Sequence, residues 1–356
     1  PFGCESSSLS FGTTRIVLNR YKGYILNLTD FNFYLPKELI ALDPPKVRGE
    51  SRLLLINDFN YSDHRFLDLQ KFLTPGDLLI INDTKVLKAR LIGKKKSGAK
   101  VEIMVEKVID DYHVFALTKS NSNLKEGDEI IVNGLKIILK KKNGYISHFF
   151  FPKKVREVLD EFGKLPLPPY IRRAANDSDL IRYQTVYANA SKADSVAAPT
   201  AGLHFNTTII KELKSCGIEI AKVTLNIGFS TFKPMKAPKV ENHEMHEEEI
   251  EINLAAIKKI NKAKKDGKKV IAVGTTVLRC LEAVSKMNDG TLKPYRGETD
   301  LFIYPGFSFN QVDALLTNFH LPQSSLFVLV SAFGGVKQVK EAYEHAINNR
   351  YKFFSY

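Results

Sequence analysis

YISHFFFPKKVREVLDEFG, residues 145–163, is where the chain changes texture, and how that change is read decides the fold. Ahead of it, from Pro75–Gly76 to Phe151, the apolar runs are short: Leu78–Ile81, Val101–Val105, His113–Leu117, Glu129–Val132, Leu135–Leu139 and Tyr145–Phe150. Lys-Lys-Lys-Ser-Gly, Lys-Glu-Gly-Asp and two Asn-Gly pairs separate them, the punctuation of antiparallel hairpins. Behind it, Val155, Val158, Leu159 and Phe162 recur at helical spacing, between Pro152 and a closing Gly163. Residues 75–151 therefore read as a small antiparallel barrel or sandwich.

Outward from that block the pattern is mixed. Pro36 suits the first turn of a short helix through Leu42, which Pro44–Pro45 stops. On the other side, Asn206 caps a helix carrying Ile209, Ile210 and Leu213 that Gly217 ends, and Ile218–Leu225 reads as a strand. Leu254–Lys265 is helical, Val270–Val273 a strand, Val277–Met287 helical and Leu301–Tyr304 a strand, and Leu326–Phe333 and Val339–Ile347 are closing helices. The expected architecture is an α/β main domain, residues 30–74 and 152–356, with the β block at 75–151 as an insertion. The leader, residues 1–29, is Ser-rich, starts without methionine and carries Arg15, Arg20 and Lys22 against Glu5. Transit peptides have that composition, but translated upstream sequence is the preferred reading, so it is set outside the fold.

The 356 residues carry a formal net charge of +13, which favours a polyanionic partner, nucleic acid above all. Lys94–Lys96 and Lys140–Lys142 lie at turns of the β block, free to reach phosphates. The default for Lys258–Lys269 is a solvated helix face. Tyr170 before Arg172–Arg173, and Tyr183 after Arg182, set aromatic rings among basic groups, where unpaired bases stack. Cys4, Cys216 and Cys280 are far apart with no CxxC pair, which argues against a thiolate zinc site and suits a reducing cytoplasm. No apolar run approaches the roughly 20 residues that span a bilayer, so no membrane is expected. Nothing in the pattern demands a dimer interface, and a monomer is expected.

Two stretches concentrate chemistry. SVAAPTAGLHF (Ser195 to Phe205) gathers Thr200, Gly202 and His204, and TNFHLPQSSL (Thr317 to Leu326) sets His320 beside asparagine and proline. Each puts a group that titrates near neutrality on irregular backbone between apolar runs. Val273-Gly274-Thr275-Thr276 offers free N–H groups and hydroxyls at a helix start, a seat for an anion or a plain N-cap, with Arg279 one turn on. HEMHEEE (His243 to Glu249) spaces its histidines HxxH rather than HExxH, so zincin geometry is not met. An extended segment could still gather His243, His246 and one of Glu247, Glu248 or Glu249 on a metal, but acid–base or substrate-ordering work is preferred, with a solvated charged loop as the alternative. LPLPPYIRR and DSDLIRYQTVYA, with Arg182, Tyr183 and Gln184, form either a preorganised polar edge or an interdomain strap.

LPLPPYI, RYQTVYA, SVAAPTAGLHF, HEMHEE, VGTT, PGFSF and VDALLTNFHLPQSSL, in that order, resemble the S-adenosylmethionine:tRNA ribosyltransferase-isomerase family of queuosine synthesis. The similarity begins at Asp30 and includes GDLLIINDTKVLKARLIG (Gly76 to Gly93). The resemblance implies an α/β domain with an inserted β-barrel and no metal. It implies transfer and isomerisation of the ribosyl moiety of S-adenosylmethionine, the donor substrate, onto 7-aminomethyl-7-deazaguanine at a tRNA wobble position. Epoxyqueuosine forms, with adenine and methionine released. Such chemistry needs a base for the carbon beside the sulfonium and an acid for adenine. On this basis His204 and His320 are expected in proton transfer, with Asp313 orienting or accepting. Thr200, Gly274, Thr275 and Arg279 are expected to hold the donor, Arg182, Tyr183 and Gln184 to face the tRNA base, and Gly202, His243 and His246 to bind substrate.

The chain departs from the family pattern at Asn226, where histidine is usual, at Ser230, where glycine is usual, and at Asp194, where a glycine at a tight turn is usual. It also stops at Tyr356, before the few residues that commonly follow. These departures feed a second hypothesis, a tRNA-binding relic without turnover. A third, a metal-dependent hydrolase built on His243 and His246, ranks far behind.

Overall fold

The structure, a computed structural model, describes the backbone of residues 6–11 and, in full, residues 26–57, 60–228, 231 and 234–354. In chain order come β1 (Ser6–Phe11), β2 (Arg52–Asn57), β3 (Asn60–Arg65), β4 (Leu78–Asn82) and the short β5 (Lys85–Val86). Six strands follow: β6 (Arg90–Lys95), β7 (Lys100–Val108), β8 (His113–Ser120), β9 (Glu129–Val132), β10 (Leu135–Asn143) and β11 (Ile146–Phe150). Then come α1 (Val155–Phe162), α2 (Asp177–Arg182), β12 (Ala193–Ser195), α3 (Thr207–Ser215), β13 (Glu219–Leu225), β14 (Glu248–Ile252) and α4 (Leu254–Lys265). β15 (Val270–Val273), α5 (Thr275–Met287), β16 (Tyr295–Thr299), β17 (Ala314–Asn318), α6 (Ser325–Gly334) and α7 (Val336–Asn348) complete the chain.

The main sheet runs β16-β14-β13-β4-β15-β17-β1-β2-β3. At its centre β13, β4, β15 and β17 are mutually parallel. Every residue of β4, β15 and β17 is buried, as parallel strands covered on both faces must be. Strand alternation divides their side chains between two cores. Leu78, Ile80, Val270, Ala272 and Leu315 pack with α4, α5, α6 and α7. Leu79, Ile81, Ile271, Val273, Ala314 and Leu316 pack with Ile209 and Leu213 of α3 and with Phe66 and Leu69.

Strands β6 to β11 close into a barrel in the order β10-β11-β8-β7-β6-β9. Leu91, Ile103, Val105, Val114, Ala116, Ile130, Ile137, Leu139 and Phe149 are buried in it, and α1 packs Val155, Val158 and Leu159 against the same cluster. Asn133 and Gly134, with φ of 45° and 87°, make the tight turn between β9 and β10, the left-handed pair that an Asn-Gly hairpin supplies.

The expected α/β domain with a β-barrel is present, and four details differ. Leu78–Ile81, read with the β block, belongs to the main sheet, so barrel hydrogen bonding begins at Arg90 rather than at 75. A run buried on both faces looks alike in either setting. The helix from Pro36 is only a 3-10 turn, Lys37–Leu39. Leu301–Tyr304 forms no strand, and β16 lies just before it. The leader, set outside the fold, contributes β1, which pairs with β17 and β2.

Barrel closure is tightest at Gly93, where an added Cβ would lie 2.6 Å from Ile130 Cγ2 and 2.8 Å from the Ile131 carbonyl. Gly93→Ala is expected to cost about 1–3 kcal/mol through overpacking, read as a lower urea midpoint with unchanged slope.

Candidate active site

Ligand sites in parallel α/β sheets lie beyond the carboxyl ends of the strands. Here a cavity of about 320 Å³ opens beyond the ends of β15 and β17, within the range of small-molecule sites. Gly274 turns the chain from β15 into α5 with φ of 94°, a conformation that strains any residue bearing a Cβ. Its N–H donates to the Leu316 carbonyl at 2.7 Å. Thr275 and Thr276, at the start of α5, line the cavity, and the unbonded N–H groups of a first helical turn favour an anion there.

Arg279, one turn further on, also lines the cavity and is 3% exposed. Its Nε donates to the Leu301 carbonyl at 3.1 Å, and Nη1 pairs with the buried Glu248 carboxylate. Thr231 Oγ1 donates to the other Glu248 oxygen at 2.8 Å. Nη2 of Arg279 has no hydrogen-bond partner among the described residues. The guanidinium is thus held in place while keeping donors in reserve.

The opposite wall comes from β17 and the turn Thr200–His204. Thr200 Oγ1 donates to Asn318 Oδ1 at 3.2 Å, and Asn318 Nδ2 donates to His204 Nε2 at 2.8 Å. With Nε2 accepting, the neutral ring carries its proton on Nδ1 and donates to Ser51 Oγ at 2.9 Å. Burial, aided by the nearby Arg48 charge, pushes His204 down to about 3. His320 lines the cavity itself. Its Nε2 shares a hydrogen bond with Thr317 Oγ1 at 3.1 Å, and burial pushes it down to about 3 as well. Tyr170 and Phe354 stack at 4.2 Å on the cavity rim.

The structure thus brings Thr200, Gly274, Thr275, Arg279 and His320 together. Other expected residues fall elsewhere. His204 stands behind Asn318 and reaches the cavity through it. Gly202 is a packing residue, since a Cβ there would lie 2.1 Å from the Tyr187 hydroxyl. Asp313 precedes β17, and its Oδ2 accepts from the Val270 N–H at 2.8 Å. Five residues of strand, about 17 Å at ~3.3 Å each, separate it from Asn318.

Arg182, Tyr183 and Gln184 do not line the cavity. Arg182 donates to the Pro45 and Lys46 carbonyls, Tyr183 is fully buried, and Gln184 bonds both backbone groups of Val86. That is the strap reading, because their polar atoms are spent on backbone. His243 and His246 line a second cavity of about 660 Å³ that meets the first at Thr231, Pro234 and Glu248. Among the described residues no three His, Cys, Asp or Glu side chains are placed to hold a metal ion.

Asn226 bonds Thr84 and Glu249 and lines neither cavity. Asp194 lies in β12 rather than at a tight turn and pairs with Arg156 at 2.5 Å. Ser230 lies outside the described residues. Of the lysines expected to reach phosphates, Lys95 pairs with Asp128 and Lys96 with Glu129, so those charges are already neutralised.

Sequence reasoning missed Asn318, Glu248 and Ser51 as parts of the site. Asn318 and Glu248 sit inside the two motifs already singled out for their histidines. Ser51 opens the stretch SRLL, which belongs to the family resemblance, but nothing near it in sequence ties it to His204.

Residues 28–356 match the queuosine biosynthesis protein family. A protein from Carboxydothermus hydrogenoformans named S-adenosylmethionine:tRNA ribosyltransferase-isomerase is 46% identical over 337 residues, spanning 93% of this chain and 98% of its own. A protein of the same name from Francisella tularensis subsp. novicida is 45% identical over 331 residues, 92% of this chain and 97% of its own. The crystal structure of S-adenosylmethionine tRNA ribosyltransferase from Thermotoga maritima superposes with a TM-score of 0.52 at 30% identity, covering 92% of this chain and 97% of that one. With its barrel, its mixed sheet and nearly its whole length matched, this chain belongs to the queuosine biosynthesis protein family, a family of transferase-isomerase enzymes.

Proposed function

We propose that the chain transfers and isomerises the ribosyl moiety of S-adenosylmethionine onto 7-aminomethyl-7-deazaguanine at the wobble position of a tRNA. Epoxyqueuosine would be formed and adenine and methionine released. The observation that carries this reading is the cavity at the ends of β15 and β17, lined by both the start of α5 and Arg279. That pair is suited to the methionine carboxylate. Glu248, already paired with Arg279, adds negative charge on the side a sulfonium would occupy. The Tyr170–Phe354 stack offers an aromatic face for adenine.

His320 is the titratable ring with direct access. With a pKa near 3 it is unprotonated at neutral pH, so it begins as an acceptor, not as an acid. Its Nε2 is engaged by Thr317, leaving Nδ1 for the substrate. From there it would take the proton from the carbon beside the sulfonium and return it to the departing adenine, so one ring would serve both halves. His204 acts as a positioning residue, holding Asn318 and through it Thr200. The relic reading finds no support at Asn226 or Asp194, which lie outside this cavity.

Protein incubated with S-adenosylmethionine and a tRNA carrying 7-aminomethyl-7-deazaguanine is expected to yield epoxyqueuosine and free adenine by mass spectrometry. Absence of both products would overturn the reading. His320→Gln is expected to lower turnover by about 10²–10⁴-fold, and His204→Asn by less, with its effect concentrated in the KM for S-adenosylmethionine.

The same histidines set an acid limit to stability. Their folded-state pKa lies near 3 against an ordinary 6.5. Between those values the unfolded chain binds more protons, so stability falls as pH drops from 6.5 toward 3. His204→Asn is expected to flatten that decline in melting temperature.

A further inference from the structure

The second cavity differs in character from the first. One side is the segment 242–248, and facing it is Tyr145, at the barrel hairpin between β10 and β11. Tyr145 is 56% exposed, yet its ring approaches His246 edge-on with centroids 6.4 Å apart. Glu106, Glu244 and Glu247 supply carboxylates to the lining, against one lysine, Lys236. Lys141 and Lys142, both exposed, lie on the strand that leads into the hairpin. An aromatic wall, an acidic interior and a basic approach therefore meet in one place, and Thr231, Pro234 and Glu248 belong to both cavities.

We infer that this second cavity is the acceptor-base site. An unpaired base bearing a cationic amine stacks on Tyr145 beside His246, its amine toward the glutamates and its flanking phosphates toward Lys141 and Lys142. This rests on the reading of the chain as a tRNA ribosyltransferase-isomerase and assigns a place to its acceptor. Each part follows from ordinary chemistry. Any base presents a π-face for which a tyrosine is a sequence-tolerant platform. A carboxylate-lined interior selects an aminomethyl base over unmodified guanine, which has no such cation. Once one of these glutamates has taken its proton, the neutral amine has a short route to the ribosyl carbon through the wall shared with the donor cavity. It also gives the barrel a function, since its hairpin supplies one face of a site whose other face is on the main domain.

The test uses full-length protein and three labelled RNA stem-loops: one with 7-aminomethyl-7-deazaguanine at the wobble position, one with guanine and one abasic there. Wild-type protein is expected to prefer the modified loop. Tyr145→Ala is expected to lose roughly tenfold in affinity for it, while Tyr145→Phe keeps wild-type affinity and neither change alters binding of the abasic loop. Equal binding of the modified loop by Tyr145→Ala and wild type overturns the assignment. So does an equal loss on the abasic loop, which would make the hairpin a backbone contact. S-adenosylmethionine affinity by calorimetry separates the two levels. Wild-type protein that does not bind it overturns the underlying reading, whereas the Tyr145 results bear on the base site alone.

Discussion

The hydrogen bond from the Gly274 N–H to the Leu316 carbonyl ties the end of β15 to the end of β17, and the cavity beyond those strands depends on it. The parallel register that pairs Val273 with Leu316 brings the start of α5 beside Asn318. Because Gly274 alone can turn the chain there at positive φ, α5 starts at the cavity rather than one turn beyond it. Arg279 then falls one helical turn inside, where Glu248 from β14 can reach it. A shift of one strand register would send those side chains to the opposite face.

Burial sets the chemistry of this arrangement. Both histidines lose water on nearly all sides, so both are neutral, and the difference between them is access. His320 touches the cavity, while His204 is screened by Asn318 and serves to hold it. Arg279, deep in the wall, is paired with the equally buried Glu248 and hydrogen-bonded to Leu301, as a buried charge must be. Its partner lies on the wall common to the two cavities, so their electrostatics are linked through one carboxylate.

The barrel is a packing unit of its own. Its core is separate from the main sheet's two cores, yet its hairpin at Tyr145 faces the 242–248 segment of the main domain. Ion pairs reinforce that apposition: Lys107 of β7 with Glu298 of β16, and Arg156 of α1 with Asp194 of β12. Both are solvent-exposed and worth little singly, so the orientation of the barrel is held by several weak contacts and the chain connections.

Much of this was legible in the sequence. Helical spacing in Leu254–Lys265 and the strand Val270–Val273 were read with their observed limits, because local periodicity and an Asn cap decide them. The motifs around Thr200, Gly274, Arg279 and His320 were legible because irregular, polar backbone between apolar runs is itself a local signal. What the chain order could not carry was distance. Asp313 and His320 are seven residues apart in sequence but lie at opposite ends of a strand, and Arg182, Tyr183 and Gln184 turned out to bind backbone. Leu78–Ile81 reads alike in a barrel or a parallel sheet, since a strand buried on both faces has no alternation to betray its neighbours. Sequence alone determined the elements, the charge and the family resemblance, all of which depend on residues near one another in the chain. Only the tertiary structure decided which polar groups share a cavity, because that depends on strand register and burial, which are properties of pairs far apart in sequence.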